Sequence, residues 1–197
     1  MSVSPGIVVA GDVVAGVGVG CGETVKFVEG KALKRPMIVK IMSKIKIPRI
    51  LLIGAGHFGK KHLRVLLELE KEEMCKVAGV VVRTKKSLRD IASKYPLPVF
   101  SHLPTKLLQG VDGVDIVTPA PTHFSLVKQI LKHTNVLVEK PLTLTSHEAS
   151  VLSKLEKKNK KTVMVGHIYR FHPLIGKLKT ILRSLGKPHF ISGKYLN

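Results

Sequence analysis

Three glycines, Gly54, Gly56 and Gly59, sit in "ILLIGAGHFGKKHLRVL" (50–66), between an apolar run and a basic amphipathic segment. Such a GxGxxG is either a tight turn or a cradle for a diphosphate, and its context decides between them. Here it follows a strand pattern, opens a helix pattern and heads a series of alternating elements, which is the setting a dinucleotide cradle requires. Gly54 permits the turn, Gly56 lets the backbone approach a pyrophosphate, and Gly59 lets the helix pack against the strand. The pyrophosphate would rest on unpaired N–H groups at the helix N-terminus, so Ala55, His57 and Phe58 join the cofactor-binding set. A carboxylate that grips the adenine ribose should end the second strand, yet "GVVVRTKKS" offers Val82, Arg83, Thr84, Lys85 and Lys86 there. A guanidinium beside a hydroxyl suits a 2′-phosphate, so NAD(P) is the expected cofactor, with NADP favoured through Arg83 and Thr84. The alternative is a loop of solvated cations.

These residues need a frame to hold them. From Arg49 onward strand and helix patterns alternate: "RILLIG", then a helix over His57–Leu69, then "KVAGVVV" (76–82) and a short helix over Ser87–Ser93. "LPVFS" (97–101) follows, then a helical turn closed by Gly110, then "VDIVTP" (114–119) and a helix from Thr122 to Lys132. "NVLVEKP" (135–141), a helix opened by a Thr145/Glu148 capping box, and "TVMVGHI" (162–168) complete the series. Strands interleaved with helices at this spacing predict right-handed βαβ units. The fold class is therefore α/β, a doubly wound parallel six-stranded Rossmann sheet. Leu174, Ile175, Leu178, Ile181, Leu182 and Leu185 make one more amphipathic helix, stopped by Gly186, and "HFISGKYL" (189–196) reads as a further strand.

At the ends of the fourth, fifth and sixth strands the residues become specific. "VDIVTPAPTHFSLVKQIL", "NVLVEKPLTLTSHEA" and "VMVGHIYRFHP" together resemble the Gfo/Idh/MocA oxidoreductases, a family of NAD(P)-dependent sugar and cyclitol dehydrogenases. The resemblance runs over residues 49–186 in unbroken order, and His62 in "GKKHL" falls where this family commonly has a histidine. It implies that Glu139 and Lys140 lie beside the nicotinamide, with Lys140 as the catalytic residue that hydrogen-bonds the reacting hydroxyl or carbonyl. It also implies a cis bond before Pro141. Thr118, Pro119, Thr122 and His123 would line the cofactor groove, and Arg170 would sit where the domain hands over to the substrate half. For His167 and His172 the residues leave catalysis and a merely satisfied polar side chain both open. The "GHIYRFHP" form is similar to members acting on nucleotide sugars, UDP-N-acetylglucosamine 3-dehydrogenases among them, so the implied partner is a small-molecule sugar or nucleotide sugar.

The resemblance further implies a second, α+β domain that supplies an Asp and a His and supports homo-oligomers. Residues 173–197 read as only the beginning of it, 48–172 as the NAD(P)-binding domain, and 1–47 as an irregular extension outside the family pattern. In that extension Ile7, Val13, Val19 and Val25 recur every six residues, a weak β-helix signature set against a flexible segment or a start at Met42. The formal net charge is +20, but the cations are spread along the chain rather than clustered, which favours anionic small ligands over a specific nucleic-acid partner. Residues 7–20 are interrupted by Asp12 and glycines and lack a basic lead-in, so neither a membrane span nor an export signal is expected. Cys21 and Cys75 have no metal or redox spacing, which suits a reducing cytoplasm. Three functions remain: a truncated oxidoreductase, a stand-alone cofactor-binding or regulatory module, and a basic scaffold.

Overall fold

The computed structural model describes residues 8–10, 13–15, 46–187, 189, 190 and 192. The chain divides into two units, Met1–Lys46 and Ile47–Asn197. In the first, β1 (Val8–Ala10) and β2 (Val13–Ala15) pair antiparallel with Val9 opposite Val14. Val8, Val9, Val13 and Val14 are β-branched and favour this extended backbone; the other residues of the expected irregular extension, up to 45, lie outside the described residues. Apart from Val13, the six-residue repeat lies outside the described residues, as does most of the strand expected over 189–196.

The second unit holds six parallel strands: β3 (Arg49–Ile53), β4 (Lys76–Val81), β5 (Val99–Phe100), β6 (Gly113–Ile116), β7 (Asn135–Val138) and β8 (Val163–Val165). Their spatial order is β5-β4-β3-β6-β7-β8, the doubly wound order in which the chain starts centrally and reverses direction once. The helices are α1 (His57–Lys71), α2 (Lys85–Lys94), α3 (Thr105–Leu108), α4 (His123–Ile130), α5 (Ser146–Asn159) and α6 (Pro173–Ser184).

Strand β3 explains the layering. Leu51 and Leu52 are adjacent, point to opposite faces of the sheet, and both are 0% exposed, so both faces must be covered. Leu52 packs in one core with Leu63 of α1 and Ile91 of α2. Leu51 and Ile53 pack in the other with Val127 and Ile130 of α4 and Leu152 of α5. The chain therefore changes face between β3 and β6, and the strand ends part at that point. Ligands in open parallel sheets bind in the crevice this creates.

Local chemistry sets the helix ends. Thr84 and Thr145 each accept a bond from the main-chain N–H three residues on, Ser87 and Glu148 respectively. The expected capping box is only half closed, because the Glu148 carboxylate accepts from Leu144 N–H instead of from Thr145. Gly186, at φ +73°, follows the last turn of α6 in the left-handed conformation that glycine tolerates. Leu174, Leu178, Ile181 and Leu185 remain exposed in a stripe along that helix.

Candidate cofactor site

The glycines divide the labour between them. Gly54 has φ +97°, and a Cβ there would run into the Val117 carbonyl. At Gly59 a Cβ would run into the Gly54 carbonyl, so the third glycine is what lets α1 lie against the end of β3. Gly56 differs from both, since a Cβ there would meet nothing within 4 Å. Packing requires the first and third glycines. The middle one faces open space, the requirement of a backbone that a ligand approaches closely.

Gly56 is also the N-cap of α1, and no side chain caps this helix and no acidic residue occupies its first turn. Its first N–H groups and the positive end of its dipole are left for an anion. A cleft of about 540 Å³ opens in front of them. Its wall includes Gly54, Ala55 and Gly56 from the first turn, Arg83 and Thr84 beyond β4, and Thr118, Pro119 and Thr122 beyond β6. These eight residues, all read from the sequence, come together across the point where the sheet reverses. A smaller cavity of about 270 Å³ adjoins it, lined by Arg83, Lys85, Leu88, Arg89 and Ser101, three cations around one hydroxyl.

Other expected site residues fall elsewhere. His57 and Phe58 are exposed on the first turn of α1 and do not line the cleft; the Phe58 ring stands 5.1 Å from that of His62. Any part they take in binding an anion is through the main chain. Gly59 is buried by its packing role. His123, expected in the groove wall, is not among the residues that line the cleft. It is 1% exposed, with Nδ1 2.7 Å from the Pro141 carbonyl and Nε2 2.8 Å from the Thr118 carbonyl. Buried with a main-chain carbonyl against each ring nitrogen, and able with one N–H to donate to one of them at a time, His123 lies between the loop after β6 and the turn after β7. The β6 loop is further held by hydroxyls: Thr122 donates to the Pro119 carbonyl at 2.7 Å and pairs with Thr118 Oγ1 at 2.7 Å.

Glu139 continues β7 by one residue, its N–H donating to the Ile116 carbonyl at 3.0 Å. Its Oε2 accepts from the Lys140 N–H at 3.2 Å, and a Cβ on Gly166 would approach its Oε1 to 2.7 Å, so the carboxylate is confined between two strand ends. The Lys140–Pro141 peptide bond is cis, as the resemblance implies. The Lys140 side chain is exposed, and so is Arg170, in a short 3-10 helix over Ile168–Phe171. His172 accepts from Leu174 N–H and caps α6, the bland reading of that residue.

Sequence reasoning passed over Ser87, Ser101, Leu103, Ser125 and Leu126, which also line the cleft. It passed over Asp115 too, although an acid inside an apolar strand is a signal in its own right. Asp115 is 3% exposed and its Oδ2 lies 2.8 Å from His62 Nδ1. His62 Nε2 lies 3.5 Å from Glu139 Oε1. The hydrogen bond to Asp115 raises the His62 pKa above its ordinary value; burial opposes this, and the charges of Asp115 and Glu139 reinforce it.

A reversed strand order, an open cleft at Gly56 and a cationic recess beyond β4 define a dinucleotide-binding α/β domain. A family model for the Gfo/Idh/MocA group, an oxidoreductase family with an NAD-binding Rossmann fold, matches residues 48–167, and the chain belongs to that family. It is 30% identical over 145 residues to a UDP-N-acetylglucosamine 3-dehydrogenase of Acidithiobacillus ferrooxidans, covering 73% of this chain and 44% of that protein. It is 28% identical over 150 residues to the scyllo-inositol 2-dehydrogenase (NAD(+)) of Bacillus subtilis, covering 74% and 43% respectively. The solved structure of the Acidithiobacillus enzyme superimposes with a TM-score of 0.60 over 70% of this chain and 44% of that one. The chain thus spans less than half the length of these relatives. Among the described residues, no helix is long and apolar enough to cross a membrane, and no group of three or more His, Cys, Asp or Glu could hold a metal ion.

Proposed function

We propose that this chain binds NAD(P) in the cleft at Gly56 and serves as the nucleotide-binding part of a sugar or nucleotide-sugar dehydrogenase. The observation that carries the reading is the contrast among the glycines: two are demanded by packing, while the one between them faces open space at an uncapped helix end. The bound dinucleotide would supply a nicotinamide that exchanges hydride with a carbon bearing a hydroxyl or carbonyl. The protein's own part is to hold and orient. Main-chain N–H groups of α1 take the diphosphate, and Thr118, Pro119 and Thr122 wall the cleft beyond β6. Glu139 fixes the main chain of Lys140, whose ammonium is the catalytic group that donates a hydrogen bond to the substrate oxygen. Arg170 stands on the side toward the substrate.

NADP is the favoured form. Arg83 lies at the end of β4, where a ribose-binding carboxylate would stand, and Lys85 and Arg89 share its recess. The substrate class rests on the family and on the "GHIYRFHP" segment. The exposed apolar stripe on α6 is a surface in want of cover, which fits a chain that works beside a second domain or as part of a homo-oligomer. Fluorescence titration with NADH and NADPH tests the reading. Saturable binding, tighter for NADPH and weakened for NADPH alone by Arg83→Ala, is expected. Absence of binding to either coenzyme refutes it.

A further inference from the structure

His62 stands between two carboxylates that come from different strands. Its Nδ1 meets Asp115 Oδ2 of β6 at 2.8 Å and its Nε2 faces Glu139 Oε1, just past β7, at 3.5 Å. Asp115 is 3% exposed, and its other oxygen, Oδ1, is buried with no hydrogen-bond partner, so the imidazole is what compensates this buried acid. Glu139 in turn has one oxygen toward His62 and gives the other to the Lys140 N–H. Four residues from three elements thus form one line: Asp115, His62, Glu139, Lys140.

We propose that His62 is a positioning residue that acts through Glu139 on Lys140, holding that corner of the site while its ring carries both protons and loosening it when one is lost. The reason lies in donor arithmetic. An imidazolium has a proton on each nitrogen and can serve Asp115 and Glu139 together, whereas the neutral ring has one and must leave one carboxylate without it. The Asp115 contact is the shorter and more buried, so the neutral ring keeps Asp115 and releases Glu139. Glu139 then keeps the bond from the Lys140 N–H without its partner on His62. The groups that face His62 are Asp115 from β6 and Glu139 from the turn after β7. On its own helix the Phe58 ring lies alongside, with the Lys61 ammonium 5.7 Å from that ring's centroid. The hydrogen bond to Asp115 raises the His62 pKa, so the change comes above the ordinary imidazole value. The corner is itself independent of cofactor, but its bearing on the nicotinamide rests on the function proposed above.

Because Lys140 N–H donates to Glu139, its amide resonance reports the last link of the line. In the full chain, the His62 Cε1–H and Lys140 amide shifts are followed by NMR from about pH 5 to about pH 9. Both are expected to move with one midpoint, above the ordinary imidazole value. In His62→Gln the Lys140 step disappears, and in Glu139→Gln the His62 midpoint falls, an independent check if the first variant does not fold. A Lys140 amide that stays flat while His62 titrates, or that keeps its step in His62→Gln, overturns the proposal. NADPH affinity should weaken about threefold through the same midpoint, the size of a half-unit linked pKa shift, and lose that dependence in His62→Gln. Affinity without any pH step removes the relay's bearing on the cofactor. Absence of NADPH binding at every pH refutes the cofactor reading and leaves the Lys140 amide result standing.

Discussion

The three glycines permit an experiment in which folding and binding separate. Gly56 has φ −66° and ψ −167°, a conformation open to any residue, and a Cβ added there meets nothing within 4 Å. Gly56→Val should therefore fold. As an N-cap, valine is poorer than glycine, at a cost of about 1 kcal/mol, or a fall in Tm of about 3 °C for a chain of this size. Binding should respond far more strongly, because the new side chain fills the space a diphosphate needs. Losing two charge-assisted contacts to main-chain N–H groups at about 1.5 kcal/mol each gives about 3 kcal/mol, roughly a hundredfold in Kd. Gly59→Ala should show the reverse order of effects. Its Cβ collides with the Gly54 carbonyl, so α1 must shift off β3, and overpacking of this kind costs about 1–3 kcal/mol before any ligand is added. Thermal melts and NADPH fluorescence titrations on both variants make the comparison. If Gly56→Val binds NADPH as the parent does, the diphosphate does not lie at Gly56 and the reasoning fails.

Three further expectations follow from the same geometry. Arg83→Ala should cost about 2 kcal/mol of NADPH affinity, roughly thirtyfold, and leave NADH unchanged; equal loss for both coenzymes would show a general charge effect instead. A His62 pKa raised in the folded state stabilises fully below the unfolded value of about 6.5, and this contribution is lost as pH rises through the folded value. The difference in Tm between the parent and His62→Gln should thus be largest below about pH 6.5 and shrink as pH rises through the raised folded value, and a constant difference would remove His62 from the balance. In a complete enzyme carrying this domain, Lys140→Met should preserve coenzyme affinity while turnover collapses by at least about a hundredfold, measured as NADPH formed from sugar.

The parts of this fold legible in the sequence are those where one local pattern has one physical outcome. "ILLI" (50–53) is apolar at all four positions, and a strand covered on both faces accepts that, as the full burial of Leu51 and Leu52 shows. Helix ends were less legible. The sequence alone ends the first helix at Leu69, whereas α1 runs to Lys71, since nothing in Glu70-Lys71 opposes another half-turn. Strand patterns run past the carboxyl ends of the strands themselves: "NVLVEKP" reads as a strand to Pro141, yet β7 stops at Val138, and the chain beyond it passes through the cis Lys140–Pro141 bond. In the site, the glycines, Arg83 and the Thr118–Thr122 loop could be read because their types and spacing carry the geometry with them. His123 could not, since a buried histidine between two carbonyls looks in one dimension like one that faces a ligand. Asp115 was missed for a related reason. Its meaning depends on His62, which lies 53 residues away in sequence.

The buried His123 has a consequence for how such a domain can change. It lies between the loop after β6 and the turn after β7, while Arg83 and its neighbouring cations hang from the end of β4 on the far side of the central strand. On the function proposed here, exchanging the basic tip for an acidic one is expected to change which coenzyme is accepted without disturbing the corner that holds the lysine. Descendants of one ancestor could thus trade phosphorylated for unphosphorylated coenzymes by drift at a single rim, their chemistry insulated from the experiment.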